Sequence, residues 1–350
     1  MPRTPIETRG TEDRSLSAVG GHVRPAPVRA GLSGSKAILM PVAIVVVIGA
    51  IFISVYLAAF HAPVPRDLPV AVVGTAADAE RMETLLEDRA PGAFLVRALP
   101  DEGAARAAVE HGKVFAAYAS RAADGPLVLY AGAHGPSVTG FVTEAFAQAA
   151  ADGERLKSLD VVPASPRDTR GLVVFYTTFG LVLSGYLFGI MTYQLAPRIA
   201  LRQRLASLAA FGVGGGVVVA AIVRVFDVLP APFLGVVGLV ALVALAVGAA
   251  TMTLVRTFGV VGSSSAAVLF MTLGNATSGG SLPADFLPGW LHPFSFVLPV
   301  GVGVRAVNGL AFFHGDGVAR AVVVLSAWTL AGVIGLWFRE RFLARRTEGH

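Results

Sequence analysis

The chain has 350 residues, 54% of them apolar, and a mean hydropathy of +0.68. Only 15% are charged, where soluble globular proteins carry roughly 25%, so the composition indicates a membrane protein. The absence of cysteine excludes disulfides, thiolate metal sites and cysteine nucleophiles. The net charge of +5 comes from arginines spread along the chain, and we expect no nucleic-acid partner because that requires a clustered basic face.

The N-terminal region consists of a polar tail followed by an apolar run. Residues 1–36 contain several prolines and glycines and show no apolar periodicity, which predicts a disordered tail. Residues 37–60 form an uncharged run of 24 residues. This run is longer than the apolar core of a signal peptide and long enough to cross the hydrocarbon core, which takes about 20 residues. We therefore predict a first transmembrane helix over 37–60.

Residues 61–170 differ in composition from the rest of the chain, with 26 charges in 110 positions and a net charge of −4. Apolar runs typical of strands alternate here with segments of helical periodicity. The predicted strands are 68–74, 93–99, 114–120 and 127–131, and the predicted helices are 76–90, 102–111 and 137–151. The pattern predicts a small α/β domain between the first and second transmembrane helices.

The second half of the chain, residues 171–338, is a succession of long uncharged stretches. Five of them predict transmembrane helices, at 171–194, 206–228, 232–255, 258–278 and 319–338. Residues 279–304 differ because prolines recur there, each removing a backbone donor that lipid cannot replace. We expect this stretch to be a re-entrant or interfacial segment. The predicted fold is an α-helical polytopic membrane protein with six transmembrane helices, a re-entrant segment before the last and the α/β domain.

The distribution of arginine and lysine predicts the orientation, because such residues are enriched in cytoplasmic loops. One set of short loops and ends carries a cluster of them: Arg24, Arg29, Lys36, Arg198, Arg202, Arg204, Arg256, Arg339, Arg341, Arg345 and Arg346. An even number of spans places these residues on one side. Both termini, including the tail 339–350, are then cytoplasmic and the α/β domain is extracytoplasmic.

The order of these segments resembles the membrane subunit of type-2 ABC exporters, and within that group the phage-infection-protein and nitrosoguanidine-resistance relatives. The matching segments are LPVAVVG at 68–74, ARAAVEHGKVFAAY at 105–118, DTRG at 168–171 and NATSGGSLPADFLPGWLHPFSFVLPVGVGVRAVN at 275–308. In the family, the last of these closes the outer side of the pathway. The resemblance therefore implies a gate or pathway role for Gly279, Gly280, Pro283 and Arg305.

The resemblance implies a permease in the bacterial inner membrane that exports hydrophobic or amphipathic substrates. The chain has no phosphate-binding loop, so it would carry no cofactor itself and ATP would be hydrolysed by a separate cytoplasmic ATPase. The other implied partners are a second copy or similar half and membrane lipid. The family's ATPase-coupling loop corresponds to residues 196–206, with Arg198, Arg202 and Arg204 as contact residues.

Two other functions are compatible with the residues. The chain is either a stand-alone surface protein whose outer domain binds a partner, or an ATP-independent factor in lipid or drug tolerance. An enzyme is not expected, because the sequence has no spacing typical of zinc ligands and no nucleophile-elbow motif.

Three further polar residues are candidates for a pathway or gate. Arg224 and Asp227 are spaced to pair on one helical face, either at the interface with lipid headgroups or lining a cleft. Asn275 is expected to cap backbone groups freed by the glycines that follow, or to contact a ligand.

Arg305 is expected to meet an anionic headgroup or to pair with Asp285 or Asp316. Two pairs of small residues have a separate, structural interpretation, since Gly185 with Gly189, and Gly212 with Gly216, have the spacing of close helix contacts in lipid.

Overall fold

The computed structural model describes residues 35–120, 122, 125–150, 156–168 and 170–348, with side chains from Leu39 to Phe342. The predicted disordered tail lies outside the described residues, except for its last two positions. The chain divides into two compact units, Met1–Val46 and Val47–His350. The described part of the first unit is the beginning of helix α1 (Ser35–Phe60), and all other elements lie in the second unit.

The α/β domain follows α1 and confirms the alternation of strands and helices predicted from the sequence. Its elements in order are β1 (Leu68–Val73), α2 (Ala76–Glu87), β2 (Phe94–Leu99), α3 (Glu102–Glu110), β3 (Ala116–Ala119), β4 (Leu127–Tyr130), α4 (Pro136–Ala149) and β5 (Lys157–Asp160). The five strands form one sheet in the order β2-β1-β3-β4-β5. All neighbouring pairs are parallel except β3 and β4.

Each face of this sheet is covered by helices. Buried residues of α2 and α4, such as Met82 and Phe146, pack on one face, and Ala105 and Val109 of α3 pack on the other. Local signals fix where the first two helices begin. Thr75 forms a capping box at the start of α2 and Asp101 caps α3. Helix α4, in contrast, begins with no side-chain cap.

Among the described strands of the domain, β5 is the one that the sequence pattern did not predict. Its four residues, Lys-Ser-Leu-Asp, are mostly polar and exposed, so they lack the apolar alternation that predicts a strand. The strand exists because its backbone pairs with β4, from Leu127↔Lys157 to Tyr130↔Asp160.

The rest of the chain is helical. After β5 come α5 (Val173–Leu195), α6 (Leu201–Phe226), α7 (Phe233–Phe258), α8 (Val260–Ala266), α9 (Phe294–Val297), α10 (Pro299–Phe312) and α11 (Val318–Glu348). Among the described residues, five helices are long and apolar enough to cross a membrane: α1, α5, α6, α7 and α11. The fifth predicted span, 258–278, corresponds to a shorter apolar helix in which α8 continues as a π-helix from Ala267 to Gly274.

Helix α7 lies at the centre of the helical bundle. A Cβ added to Gly189 of α5 would lie 2.6 Å from Thr251, and one added to Gly216 of α6 would lie 2.7 Å from the carbonyl oxygen of Val237. Both partners belong to α7, so α5 and α6 approach it more closely than any side chain would permit at these positions. The close approach predicted from the glycine spacing is confirmed.

We expect Gly216→Ala to destabilise the bundle by about 1–3 kcal/mol, because the new methyl group meets backbone that cannot turn away. Gly214→Ala is the matched control on the same helix, since a Cβ there meets nothing within 4 Å. Thermal unfolding of both variants in one detergent tests this. Equal midpoints would contradict the assigned contact.

Residues 277–298, which lie between the π-helix and α10, contain only short helical turns, including α9, and are here called the bent segment. The Trp328 indole N–H donates to the carbonyl of Val297 at 2.8 Å, and Trp328 lies ten residues into α11, which begins at Val318. At 1.5 Å per residue, the bent segment therefore reaches about 15 Å along the bundle.

Helix α10 then returns toward the start of α11. Gly303 packs against Val243, whereas Leu310 lies beside Gly235, near the first residue of α7. The expected re-entrant stretch, 279–304, thus combines the bent segment with the first six residues of a helix. Pro299 begins that helix and does not interrupt it, because proline fits the first helical turn, where its missing N–H has no intrahelical acceptor.

The two ends of the bundle differ in composition. One end, called the domain end, holds the C-terminus of α1 and the start of α5, both joined to the α/β domain. The opposite end, called the arginine end, holds the α5–α6 connection and the C-terminal parts of α7 and α11. Helix α8 starts next to α7 at the arginine end, and Asn275 contacts Tyr56, four residues before the end of α1.

Candidate functional site

The α/β domain is joined to the domain end by two phenylalanines that enter opposite faces of its sheet. Phe286, from the bent segment, is 5% exposed and packs with the core formed by α2 and α4. Its ring meets that of Phe141 edge to face, with the centroids 6.1 Å apart. Phe313, from the loop after α10, packs on the other face with Val109 and Leu129. The domain is therefore held from both sides by the segment around α10.

Polar contacts reinforce this junction. The N–H of Arg66 donates to the carbonyl of Asp285 at 2.8 Å, and its guanidinium donates to the carbonyl of Leu287 at 3.0 Å. On the opposite side, Lys113 of the α/β domain forms a salt bridge with Asp316. The first link joins the α/β domain to the bent segment, and the second joins it to the loop after α10.

A cavity of about 300 Å³ lies within this junction and is our candidate functional site. We call it the junction cavity. The α/β domain contributes residues of the α3–β3 and β4–α4 connections, and the domain end contributes the bent segment and α10. Its polar side chains are His134, Ser137, Arg170, Ser281, Asp285, Arg305, Asn308 and Asp316. Of the residues predicted from the sequence, it contains Gly279, Gly280, Pro283 and Arg305.

His134 lies in the wall of the junction cavity between two aromatic rings. The ring centroids of Phe115 and Phe313 are 4.2 and 4.7 Å from the imidazole. Within the described residues the buried Nε2 has no hydrogen-bond partner. Burial lowers the pKa of His134 to about 4, since desolvation disfavours the charged imidazolium. The imidazole is therefore neutral at pH 7.

Arg305 is held in the cavity wall by contacts on its own side of the junction. Its guanidinium donates to the hydroxyl of Ser295 at 2.9 Å and to the carbonyl of the same residue, and it lies 3.8 Å from the ring centroid of Phe296. These contacts differ from the expected pairings: the carboxylate of Asp316 pairs with Lys113, and among the described residues Arg305 forms no salt bridge with Asp285. The geometry fixes the guanidinium beside the cavity.

Glycine is required at two positions that line the cavity. Gly279 has a φ of +75°, in the left-handed region that disfavours residues with a Cβ. A Cβ at Gly280 would lie 2.6 Å from the ring of Phe175 at the start of α5. These glycines let the bent segment turn tightly against α5, while Pro283 begins the short helical turn that carries Asp285 and Phe286.

The remaining pathway candidates lie outside the cavity. Asp227 ends α6 in a left-handed conformation and forms a salt bridge of 3.5 Å with Arg167, which replaces the pairing with Arg224 expected from their spacing. The left-handed turn moves Asp227 off the helical face that carries Arg224. Asn275 donates to the hydroxyl of Tyr56. It therefore links the end of the π-helix to α1 and does not cap the glycine turn as expected.

The three arginines of the predicted coupling loop divide into two groups at the arginine end. Arg198 and Arg202 are exposed, whereas Arg204 is 2% exposed. The Arg204 guanidinium donates to the carbonyls of Thr192, Ala196 and Pro197 at 2.9, 3.1 and 3.4 Å. Its location is that of a cap on the end of α5, where the last carbonyls have no helical donor.

The junction residues that sequence reasoning missed are His134, Phe286 and Phe313. A lone histidine and two phenylalanines in apolar segments carry no motif, and the contacts that distinguish them come from distant parts of the chain. Among the described residues, no group of three or more His, Cys, Asp and Glu is arranged to hold a metal ion.

Comparisons with models of protein families, with curated proteins and with solved structures gave no match for the chain. The class is therefore defined by the fold itself. Five helices suited to crossing a membrane, together with a small α/β sheet, indicate a multi-pass membrane protein with an attached α/β domain.

Proposed function

We propose that the chain is the membrane-spanning permease subunit of an ABC-type exporter. It moves hydrophobic or amphipathic substrates outward across the bacterial inner membrane, pairs with a second copy or a similar half, and is powered by a separate cytoplasmic ATPase. In this proposal α8 and its π-helical continuation provide the sixth crossing, both termini are cytoplasmic and the α/β domain is extracytoplasmic.

The observation that carries this proposal is the attachment of the α/β domain to a segment that enters the bundle. Phe286 and Phe313 bind both faces of the sheet, while α10, which lies between them in sequence, packs against α5 and α7. A relative movement of α5 and α7 would therefore displace the α/β domain and the bent segment together. Such a coupled unit suits an outer gate in alternating access.

A second observation supports the proposed contact with the ATPase at the arginine end. Arg198 and Arg202 project from the α5–α6 connection at the arginine end, and the buried guanidinium of Arg204 fixes the backbone that carries them. At this end Arg256 of α7 also pairs with Glu340 of α11 through two hydrogen bonds of 2.6 and 3.0 Å. A partner bound to the exposed arginines would thus act on a rigid end of the bundle.

The test is affinity purification of the full chain from its native membrane in mild detergent, with identification of co-eluting chains and an ATPase assay. We expect a stoichiometric nucleotide-binding subunit with the wild type. The double variant Arg198→Glu, Arg202→Glu is expected to lose it, because two charges are reversed where the partner docks.

Arg341→Glu is the matched control, since this exposed arginine lies at the same end but outside the loop. Retention of the ATPase by the double variant would remove the coupling role from these residues. Reproducible absence of any ATPase from the wild type would overturn the exporter proposal in favour of a stand-alone protein acting through its α/β domain.

A further inference from the structure

We propose that a pair of histidines at the junction of the α/β domain and the bundle binds a divalent transition-metal ion of the Zn²⁺ and Cu²⁺ class. The pair consists of His111, at the end of α3, and His314, in the loop after α10. The ion binds between two regions that are distant in the sequence, and so joins the domain to the bundle. This inference does not depend on the exporter proposal, because it rests only on the pair and its neighbours.

The first observation is the distance between the two imidazoles. Their ring centroids are 4.8 Å apart and the ring planes are inclined by 27°. An imidazole nitrogen binds Zn²⁺ at about 2.0–2.1 Å. The ring centroid lies about 1.1 Å further away, so two imidazoles on one ion have centroids about 4.5–5 Å apart. His111 and His314 already have this spacing, and a turn of one ring directs its nitrogen toward the ion.

The second observation is the hydrogen bond of His111. Its Nδ1 lies 2.8 Å from the carbonyl oxygen of Ala107. A carbonyl only accepts hydrogen bonds, so the hydrogen of the neutral ring is on Nδ1 and the lone pair is on Nε2. A hydrogen bond from the other ring nitrogen to a carbonyl is the arrangement that orients metal-binding histidines in proteins. Nε2 of His111 is therefore oriented as a metal ligand.

His314 provides the second nitrogen. It is exposed, and its ring makes no hydrogen bond within the part of the chain that the structure describes, so it turns without losing one. Its backbone, in contrast, is fixed. The φ of +51° is uncommon for a residue with a Cβ, and the N–H of Gly315 donates to the carbonyl of Gly309 at 2.8 Å. The ring can thus reorient while the backbone keeps it beside His111.

Neighbouring contacts hold the two chain segments together. A Cβ at Gly112 would lie 3.2 Å from the ring of Phe313, and Lys113 pairs with Asp316. Because these two opposite charges compensate each other, they add no net repulsion toward a cation. The segments that carry the histidines are positioned before an ion binds, which lowers the cost of ordering the ligands.

The ligands define the class of ion. Imidazole nitrogens suit Zn²⁺, Cu²⁺ and Ni²⁺, whereas Mg²⁺ and Ca²⁺ prefer oxygen ligands. Among the described residues no third His, Cys, Asp or Glu is arranged to complete the set, so water fills the remaining positions. An ion held by two side chains is exchangeable, and its occupancy follows the concentration of the free ion.

The experiment is pulsed electron paramagnetic resonance of the full chain in phosphatidylcholine nanodiscs, purified without a histidine tag. One equivalent of Cu²⁺ is added at about pH 7.5, where free imidazole is neutral. The nitrogen modulation of the echo counts the imidazoles on the ion. We expect two for the wild type and one for each of His111→Gln and His314→Asn, since asparagine tolerates the left-handed backbone. Each variant should weaken Cu²⁺ binding at least about tenfold.

His61→Gln is the matched control. His61 is also exposed and has the same type of bond, from Nδ1 to the carbonyl of Leu57 at 2.7 Å, but no second ring contacts it among the described residues. This variant should keep two bound imidazoles and the affinity of the wild type. A single bound imidazole in the wild type, or two that survive His314→Asn, would place the ion elsewhere and contradict the proposal.

An ion bound by both regions is expected to stabilise their junction. Zn²⁺ at one hundred times its dissociation constant should raise the folding equilibrium constant about 100-fold by mass action. Thermal unfolding followed by tryptophan fluorescence should therefore show a higher midpoint with Zn²⁺ for the wild type and His61→Gln, but not for His314→Asn. No rise, or an equal rise in all three proteins, would contradict a bridge between the two regions.

Discussion

Phe286→Ala is expected to lower the free energy of unfolding of the α/β domain by about 3–5 kcal/mol, the usual cost of deleting a buried phenylalanine ring. The residue is 5% exposed and lies in the same core as Val142 and Phe146. The effect is notable because Phe286 is more than 100 residues away in sequence from the domain that it stabilises. A domain folded independently of the bent segment would not respond in this way.

The measurement uses the absence of cysteine from the chain. A single Val142→Cys replacement puts a thiol at a position that is 1% exposed, so labelling reports opening of the domain core. In the Phe286→Ala background the labelling rate should rise by about 100-fold or more. Trp290→Ala is the control from the same segment, because Trp290 is 59% exposed, and it should leave the rate unchanged. Similar rates in the two backgrounds would show that Phe286 does not hold the domain.

Arg204→Gln is the second change with a large expected effect. It removes a buried guanidinium that satisfies three carbonyls at the end of α5 and lies 4.0 Å from the ring centroid of Tyr193. Hydrogen bonds from a charged group contribute about 1.5–3 kcal/mol each. Allowing for the shorter amide retaining part of the network, we expect a loss of about 3 kcal/mol.

Arg202→Gln is the matched control, since it makes the same chemical change two residues earlier at an exposed position. Thermal unfolding followed by tryptophan fluorescence should show a midpoint several degrees lower for Arg204→Gln and an unchanged midpoint for Arg202→Gln. If both variants melt like the wild type, the guanidinium of Arg204 does not stabilise this end of the bundle.

The three arginines of the predicted coupling loop show that a residue pattern does not by itself distinguish exposed side chains from buried ones. Arg198, Arg202 and Arg204 have the same chemistry and neighbouring positions, and the sequence favoured one common role for them. The structure separates them because only Arg204 lies on the side of α6 that faces the carbonyls of α5. That direction depends on how the chain turns between the two helices, which the local sequence does not specify.

The junction between the α/β domain and the bundle contains contacts that the sequence could not predict. The recurring prolines predicted that 279–304 is not a simple span, because each proline removes a backbone hydrogen-bond donor. It did not predict that Phe286 and Phe313 would enter the two faces of a sheet built from residues 68–160. The sequence around an apolar side chain does not indicate which residues it will pack against. Those contacts are determined only when distant parts of the chain pack together.

The sequence by itself determined the division of the chain into long apolar helices and a charged α/β domain, because hydrocarbon and water impose different compositions. It also determined the glycine contacts on α7, since small residues at one spacing permit close packing. Only the tertiary structure decided which polar groups meet: Asp227 with Arg167, Asp316 with Lys113, and Asn275 with Tyr56. These pairs join separate elements, and no local spacing encodes them. The junction cavity arises in the same way, from walls contributed by two regions that are distant in the sequence.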